Sequence, residues 1–170
     1  LDIFIDNSKA NSLTSQADKS FVWKVVTALN DGSHTIYVVA NNQFSNKHTI
    51  TVDTQAPTSP QIEAVAIKEQ TEKDKMVTAK LEINGQAQTG TKYVVLYLDG
   101  SILIDTVAIT DTSWSYTWSN SFNAGSYNVL AKAIDSAQNI STPSTQKGFQ
   151  ITMTNNTEAE KKAADEAAAK

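Results

Sequence analysis

The 170-residue chain has no cysteine, and this removes disulfide scaffolds, thiol nucleophiles and cysteine-ligated zinc together. It also has no arginine: all 14 basic residues are lysine, the net charge is -4, and no basic run occurs. Nucleic-acid binding is therefore not expected, because phosphate and base recognition lean on the guanidinium fork. No apolar run approaches membrane-spanning length. Proline is scarce, and two of its three copies fall in one stretch, Asp53-Thr-Gln-Ala-Pro-Thr-Ser-Pro60. Those two prolines keep the stretch extended and out of a sheet interior, so it reads as a linker between domains.

What the chain does contain is a copy of itself. Residues 1 to 49 lie over residues 94 to 142 without a gap, and ten positions are identical. They are Asp6/Asp99, Ser8/Ser101, Asp18/Asp111, Ser20/Ser113, Asn30/Asn123, Gly32/Gly125, Ser33/Ser126, Ala40/Ala133, Asn46/Asn139 and Thr49/Thr142. Most are turn formers, while the apolar positions exchange type (Phe21/Trp114, Trp23/Tyr116, Leu29/Phe122, Ile36/Val129), so what repeats is a backbone scheme. Residues 1–52 match only the later part of the unit at 53–153. They are expected to be the C-terminal part of a module that needs further strands from upstream residues or from another chain.

Alternation at period two runs through the unit. Val77, Ala79, Leu81 and Ile83 share one face, Trp114, Tyr116 and Trp118 a second, and Tyr127, Val129, Ala131 and Ala133 a third. Turn signals separate these runs at Asn84-Gly85, Gly90, Asp99-Gly100, Asp111, Asn123 to Gly125 and Ser136 to Asn139. The pattern predicts an all-β, seven-strand antiparallel sandwich of immunoglobulin type, with strands near 61–67, 76–84, 92–98, 102–109, 113–118, 126–134 and 141–153. Residues 68–75, a mixed-charge run, are expected to form a solvated hairpin loop. The segment 154–170 is Ala, Glu and Lys with a capping box (Thr157 with Glu160) and i,i+4 pairs, and it predicts the start of a coiled-coil-like α-helix from about Thr157, or a designed rigid linker. Alone, it is too short to hold an oligomer together, so a monomer is expected.

Together, Asn84-Gly-Gln-Ala, the run Gly90 to Gly100, Ser113-Trp-Ser-Tyr, Ala124-Gly-Ser-Tyr and Ala133-Ile-Asp-Ser-Ala-Gln-Asn-Ile-Ser141 resemble bacterial immunoglobulin-like (BIg) repeats, and Val52 to Pro60 resembles the joint between them. The resemblance covers residues 1–153. It implies a stalk segment of a giant non-fimbrial adhesin exported by type I secretion to the bacterial surface, with neighbouring Ig-like modules as partners and calcium stiffening the joints. Calcium needs six to eight oxygens and no His or Cys. The candidate ligands are Asp53 and Asp135, with help from Asp111, Asp6 and Asp31, set against the commoner role of a loop Asp as turn former. Asn42 stands where the second unit has Asp135, and His34 where Tyr127 would supply the hydroxyl of a tyrosine corner.

Other chemistry is thinly supported. The aromatic stripe at 114–118 could stack on a sugar, but alternation of this kind is more often a buried face. His34 and His48 sit in no metal or catalytic motif, and nucleophile elbows, phosphate loops and HExxH are absent. The carboxylate pairs Asp99/Asp105 and Asp111/Asp135 would need a cleft to act as a glycosidase. The expectation is a non-enzymatic spacer, with a receptor- or glycan-binding module as the alternative.

Overall fold

The computed structural model describes residues 1–73 and 75–153; the expected helix at 154–170 lies outside them. The chain divides into two compact units, Leu1–Gln55 and Ala56–Lys170. The described residues are all β, with no helix.

Seven strands build the second unit: β6 (Gln61–Lys73), β7 (Met76–Gln86), β8 (Thr91–Leu98), β9 (Ile102–Ala108), β10 (Ser113–Phe122), β11 (Gly125–Asp135) and β12 (Lys147–Ile151). They form two antiparallel sheets, β10-β7-β6 and β12-β11-β8-β9. The fourth strand, β9, thus pairs with the third, whereas a constant-type immunoglobulin domain places its fourth strand beside the fifth. Alternation determines which side chains meet between the sheets. Val77, Ala79, Leu81 and Ile83 on β7 are fully buried against Val94 and Leu96 of β8 and Val129 and Ala131 of β11. Trp114 is buried in this core, and Tyr116 and Trp118 pack against it, so the aromatic stripe is a core face. Phe122 closes one end against Tyr127 and Phe149, with ring centroids 5.1 and 5.8 Å away.

Three local expectations fail, each for a physical reason. Asn84-Gly85 is not a turn: Gly85 lies inside β7, where a Cβ would run into the Gln61 carbonyl oxygen and stand 2.6 Å from the Trp114 ring. Glycine is needed there for close approach. Residues 68–73 are strand and not loop, because β6 and β7 run on as a two-stranded ribbon to the pair Lys73 and Met76. Cross-strand ion pairs line that ribbon, Lys80 to Glu69 at 2.9 Å and Lys68 to Glu82 at 3.0 Å. The last strand begins at Lys147 instead of 141: Ser141 and Ser144 bond to β11 through their backbone N–H groups, but their hydroxyls take the β11 N–H groups that a ladder would pair with carbonyls.

The first unit holds β1 (Asp2–Ile5), β2 (Ser8–Ser12), β3 (Gly32–Ala40), β4 (Gln43–Phe44) and β5 (His48–Val52) in one sheet, ordered β2-β1-β3-β4 with β5 also on β3. Its register repeats that of the second unit: Ile5 faces Ile36 and Ile3 faces Val38, as Leu98 faces Val129 and Leu96 faces Ala131. Even the β-bulge recurs, between Ile3 and Phe4 and between Leu96 and Tyr97. Beyond β3 the offset changes from 93 to 99. Gly32 pairs with Val52 where Gly125 pairs with Ile151, so β5 superposes on β12, and Asn46/Asn139 and Thr49/Thr142 are identities without structural equivalence. The added length lies after β11: the first unit turns tightly at Asn41-Asn42, both at positive φ, while the second makes a longer loop that starts from Asp135 at the end of β11. Asn42 therefore has no counterpart relation to Asp135.

The stretch Ser20–Leu29, aligned with β10, is not a strand. In the second unit β10 pairs with β7 along its whole length. Among the described residues the first unit has no strand equivalent to β7, and a strand without a ladder leaves its amides unpaired.

Candidate functional site

The five candidate aspartates lie at strand ends, where each accepts a backbone N–H. Asp135 ends β11. Its Oδ1 accepts the backbone N–H groups of Ala137 and Asn139, both at 2.9 Å, and its Oδ2 accepts the Asn139 side-chain amide at 3.0 Å. Only 9% of this residue is exposed. Burial pushes its carboxyl up, but the Asn139 amide and the turn's backbone N–H groups outweigh that, and the carboxyl lies below the ordinary range. Asp111, on the β9–β10 turn, accepts the Thr112 N–H at 2.6 Å. Both turns sit at the end of the sandwich where β6 begins, near the 87–91 loop and the Ser59 to Thr142 hydroxyl contact of 2.7 Å.

In the first unit Asp31 precedes β3 and Asp53 follows β5, so the pairing of Gly32 with Val52 brings them to one end. Asp31 accepts the backbone N–H and hydroxyl of Thr54, each at 2.9 Å, and the Gln55 amide at 3.0 Å; the Gln55 and Thr54 bonds hold its carboxyl low. Asp53 accepts the Gln55 backbone N–H at 3.0 Å. The 53–55 stretch is thereby fastened to its own unit. Asp6, on the β1–β2 turn at the same end, accepts the Thr35 N–H at 2.9 Å. Asp99 does the same for Asn128, also at 2.9 Å. Within each unit, among the described residues, no three His, Asp or Glu side chains gather as a metal site.

His34 is where sequence pointed to a loss and the structure shows a substitution. Tyr127 donates its hydroxyl to the Asn123 carbonyl at 3.0 Å, the expected tyrosine corner. His34 Nε2 makes the corresponding bond to the Asn30 carbonyl at 2.8 Å, and its Nδ1 lies 2.6 Å from Asp6 Oδ2. With an acceptor at each ring nitrogen, only the imidazolium satisfies both. The Asn30 carbonyl first, then Asp6, raise the His34 pKa above its ordinary value.

Sequence reasoning missed two features. Tyr116 on β10 donates to Asp105 on β9 at 2.6 Å, tying one sheet to the other, and its phenol is pushed up to about 12, chiefly by that bond. Ser144 and Ser141 each accept a β11 backbone N–H, from Ala131 and Ala133 at 2.9 Å, and each donates to the carbonyl of the next residue. Ser45 repeats this with Val38 at 2.9 Å, in line with the offset of 99. Its one trace in the sequence is the single identity Ser45/Ser144, too little to reveal the offset without the ladders.

No family model matches the chain, and no curated protein matches it. Among solved structures it is similar to domains d3–d4 of the rat CD45 extracellular region, at 10% identity, with 85% of this chain and 77% of that chain covered and a TM-score of 0.38.

Proposed function

We propose that this chain is a length of structural and adhesive spacer from a bacterial cell-surface adhesin, built of BIg-like modules that hold a binding tip away from the surface. The observation that carries the reading is that one pairing scheme, with the same register and bulge, recurs in consecutive units while the candidate aspartates and His34 are engaged in hydrogen bonds within their own unit. A surface so used supports geometry in preference to catalysis, and an extracellular, non-enzymatic role fits it. Neighbouring modules are the partners in this reading. Calcium is its finer part: a carboxylate oxygen keeps acceptor capacity after capping a turn, and Asp6, Asp31 and Asp53 gather at one end of the first unit as Asp111 and Asp135 do at one end of the second.

A glycan array probed with the 170-residue chain tests the role. A spacer gives no hit; a reproducible hit overturns it in favour of the accessory binding module.

A further inference from the structure

We infer that the open edge of β10 pairs antiparallel with β10 of a second copy of this chain, joining the two β10-β7-β6 sheets into one. The second unit has four edge strands, β6 and β10 in one sheet and β9 and β12 in the other. A sheet edge left open recruits other strands, and proteins guard it with charges, bulges or short length. Three of these four are guarded. β6 is broken by bulges at Ile62–Ala64 and Ile67–Glu69 and carries Lys68 and Glu69. β9 has a bulge and turns Asp105 toward Tyr116 of the other sheet, and β12 is five residues long and opens with Lys147. β10, Ser-Trp-Ser-Tyr-Thr-Trp-Ser-Asn-Ser-Phe, has none of these devices: it runs ten residues without charge or proline, in unshifted register against β7 from end to end. Among the described residues, no strand pairs with its other side.

The occupant follows from the side chains. Residues directly opposed on neighbouring strands share a face, so two β10 strands pair only in registers that set solvent-facing positions against each other. With Thr117 opposite Thr117 of the second copy, the solvent face becomes a ladder of hydroxyls, Ser115 against Ser119 and Ser113 against Ser121, and no charge meets a like charge. Thr78 and Ser121, 3.0 Å apart across β7 and β10, already make a contact of this kind. On the inner face the same register sets Tyr116 against Trp118 of the copy. Both rings are left half-buried at the open edge, and β10 itself supplies an aromatic ring for each. The Tyr116 bond to Asp105, at 2.6 Å, ties the strand to the opposite sheet, so the edge is preformed. The chain enters this unit at the end of Gln61 and leaves at the end of Ile151, and those ends are opposite. Antiparallel β10 strands therefore run two copies in opposite directions. In the spacer reading, on which this consequence alone rests, that joins copies reaching out from facing surfaces.

Hydrogen exchange and sedimentation of the whole chain test the pairing. For dissociation near 0.1 mM, the weak end expected of a single strand pair, the outward-pointing amides of β10 should exchange about fourfold more slowly at about 1 mM chain than at about 10 μM. Over the same range the weight-average mass should climb from 18.4 kDa toward twice that value. Thr117→Lys, at an exposed position, should abolish both effects by setting like charges opposite each other, and so should Thr117→Glu. An equimolar mixture of the two variants should restore them, with exchange at β7 and β11 amides reporting that each variant is folded. A parent chain whose β10 exchange and mass do not change with concentration overturns the proposal. So does self-association that survives both variants, or a mixture that associates no better than its components. A monomer leaves the spacer reading standing, whereas a glycan-array hit overturns that reading and leaves the pairing untouched.

Discussion

His34 bonds to Asn30 as Tyr127 bonds to Asn123: a ring donor at the start of the strand closes onto the backbone carbonyl four residues earlier, at 2.8 Å and 3.0 Å. The corner survives replacement of a phenol by an imidazole because only the donor is required. What changes is that the donor now titrates in the physiological range.

The first unit should consequently respond to pH where the second does not. His34 has a folded pKa above its unfolded value near 6.5, so its contribution is full below about pH 6.5 and is lost as pH rises through the folded value. Asp6 has a lowered pKa, from the Thr35 N–H first and then His34, so its contribution is present above about pH 3.8 and is lost as pH falls through the folded value. Amides of β1 and β3 should exchange faster at pH 8 than at pH 5.5, after correction for intrinsic rates. His34→Tyr should flatten that difference while keeping the corner. A His34 titration midpoint at or below 6.5 by NMR would contradict the two-acceptor geometry.

Gly85→Ala should destabilise the second unit by about 2–3 kcal/mol, because the new methyl meets the Gln61 carbonyl and the Trp114 ring from inside a paired strand. Gly90→Ala, which has open space but positive φ, should cost about 1 kcal/mol through backbone strain alone. Urea unfolding of the two variants side by side separates close packing from conformation, and equal midpoints would refute the distinction.

Ser144→Ala should cost about 1–3 kcal/mol, since it leaves the Ala131 N–H without its hydroxyl acceptor in a buried position. Ser144→Thr, which keeps the hydroxyl, should recover part of that loss. Equal stability of Ser144→Ala and the parent in a denaturant titration would mean that water replaces the hydroxyl.

Calcium titrated into the chain should give weak heats with affinity on the order of 0.1–1 mM, as in extracellular modules. Asp53→Ala and Asp135→Ala should each reduce them. Absence of heat in the parent, or heats unaltered in both variants, would remove calcium from the proposed function.

The all-β class and the inward faces of β7, β10 and β11 were legible in the sequence, because period-two alternation is a direct consequence of strand geometry and needs no knowledge of the partner. The Tyr127 corner was legible too, because its bond reaches only four residues back, whereas the Asp6 and Asp99 bonds to Thr35 and Asn128 span 29 residues and needed the fold. Three things were decided by tertiary structure alone. Gly85 reads as a turn until Gln61 and Trp114 are seen pressing on it from other strands. The second offset of 99 stayed hidden because two chance identities extended the first, and only ladder pairing distinguishes equivalence from coincidence. Residues 20–29 carry the pattern of a strand and do not form one, since a strand is completed by the backbone beside it and not by its own side chains.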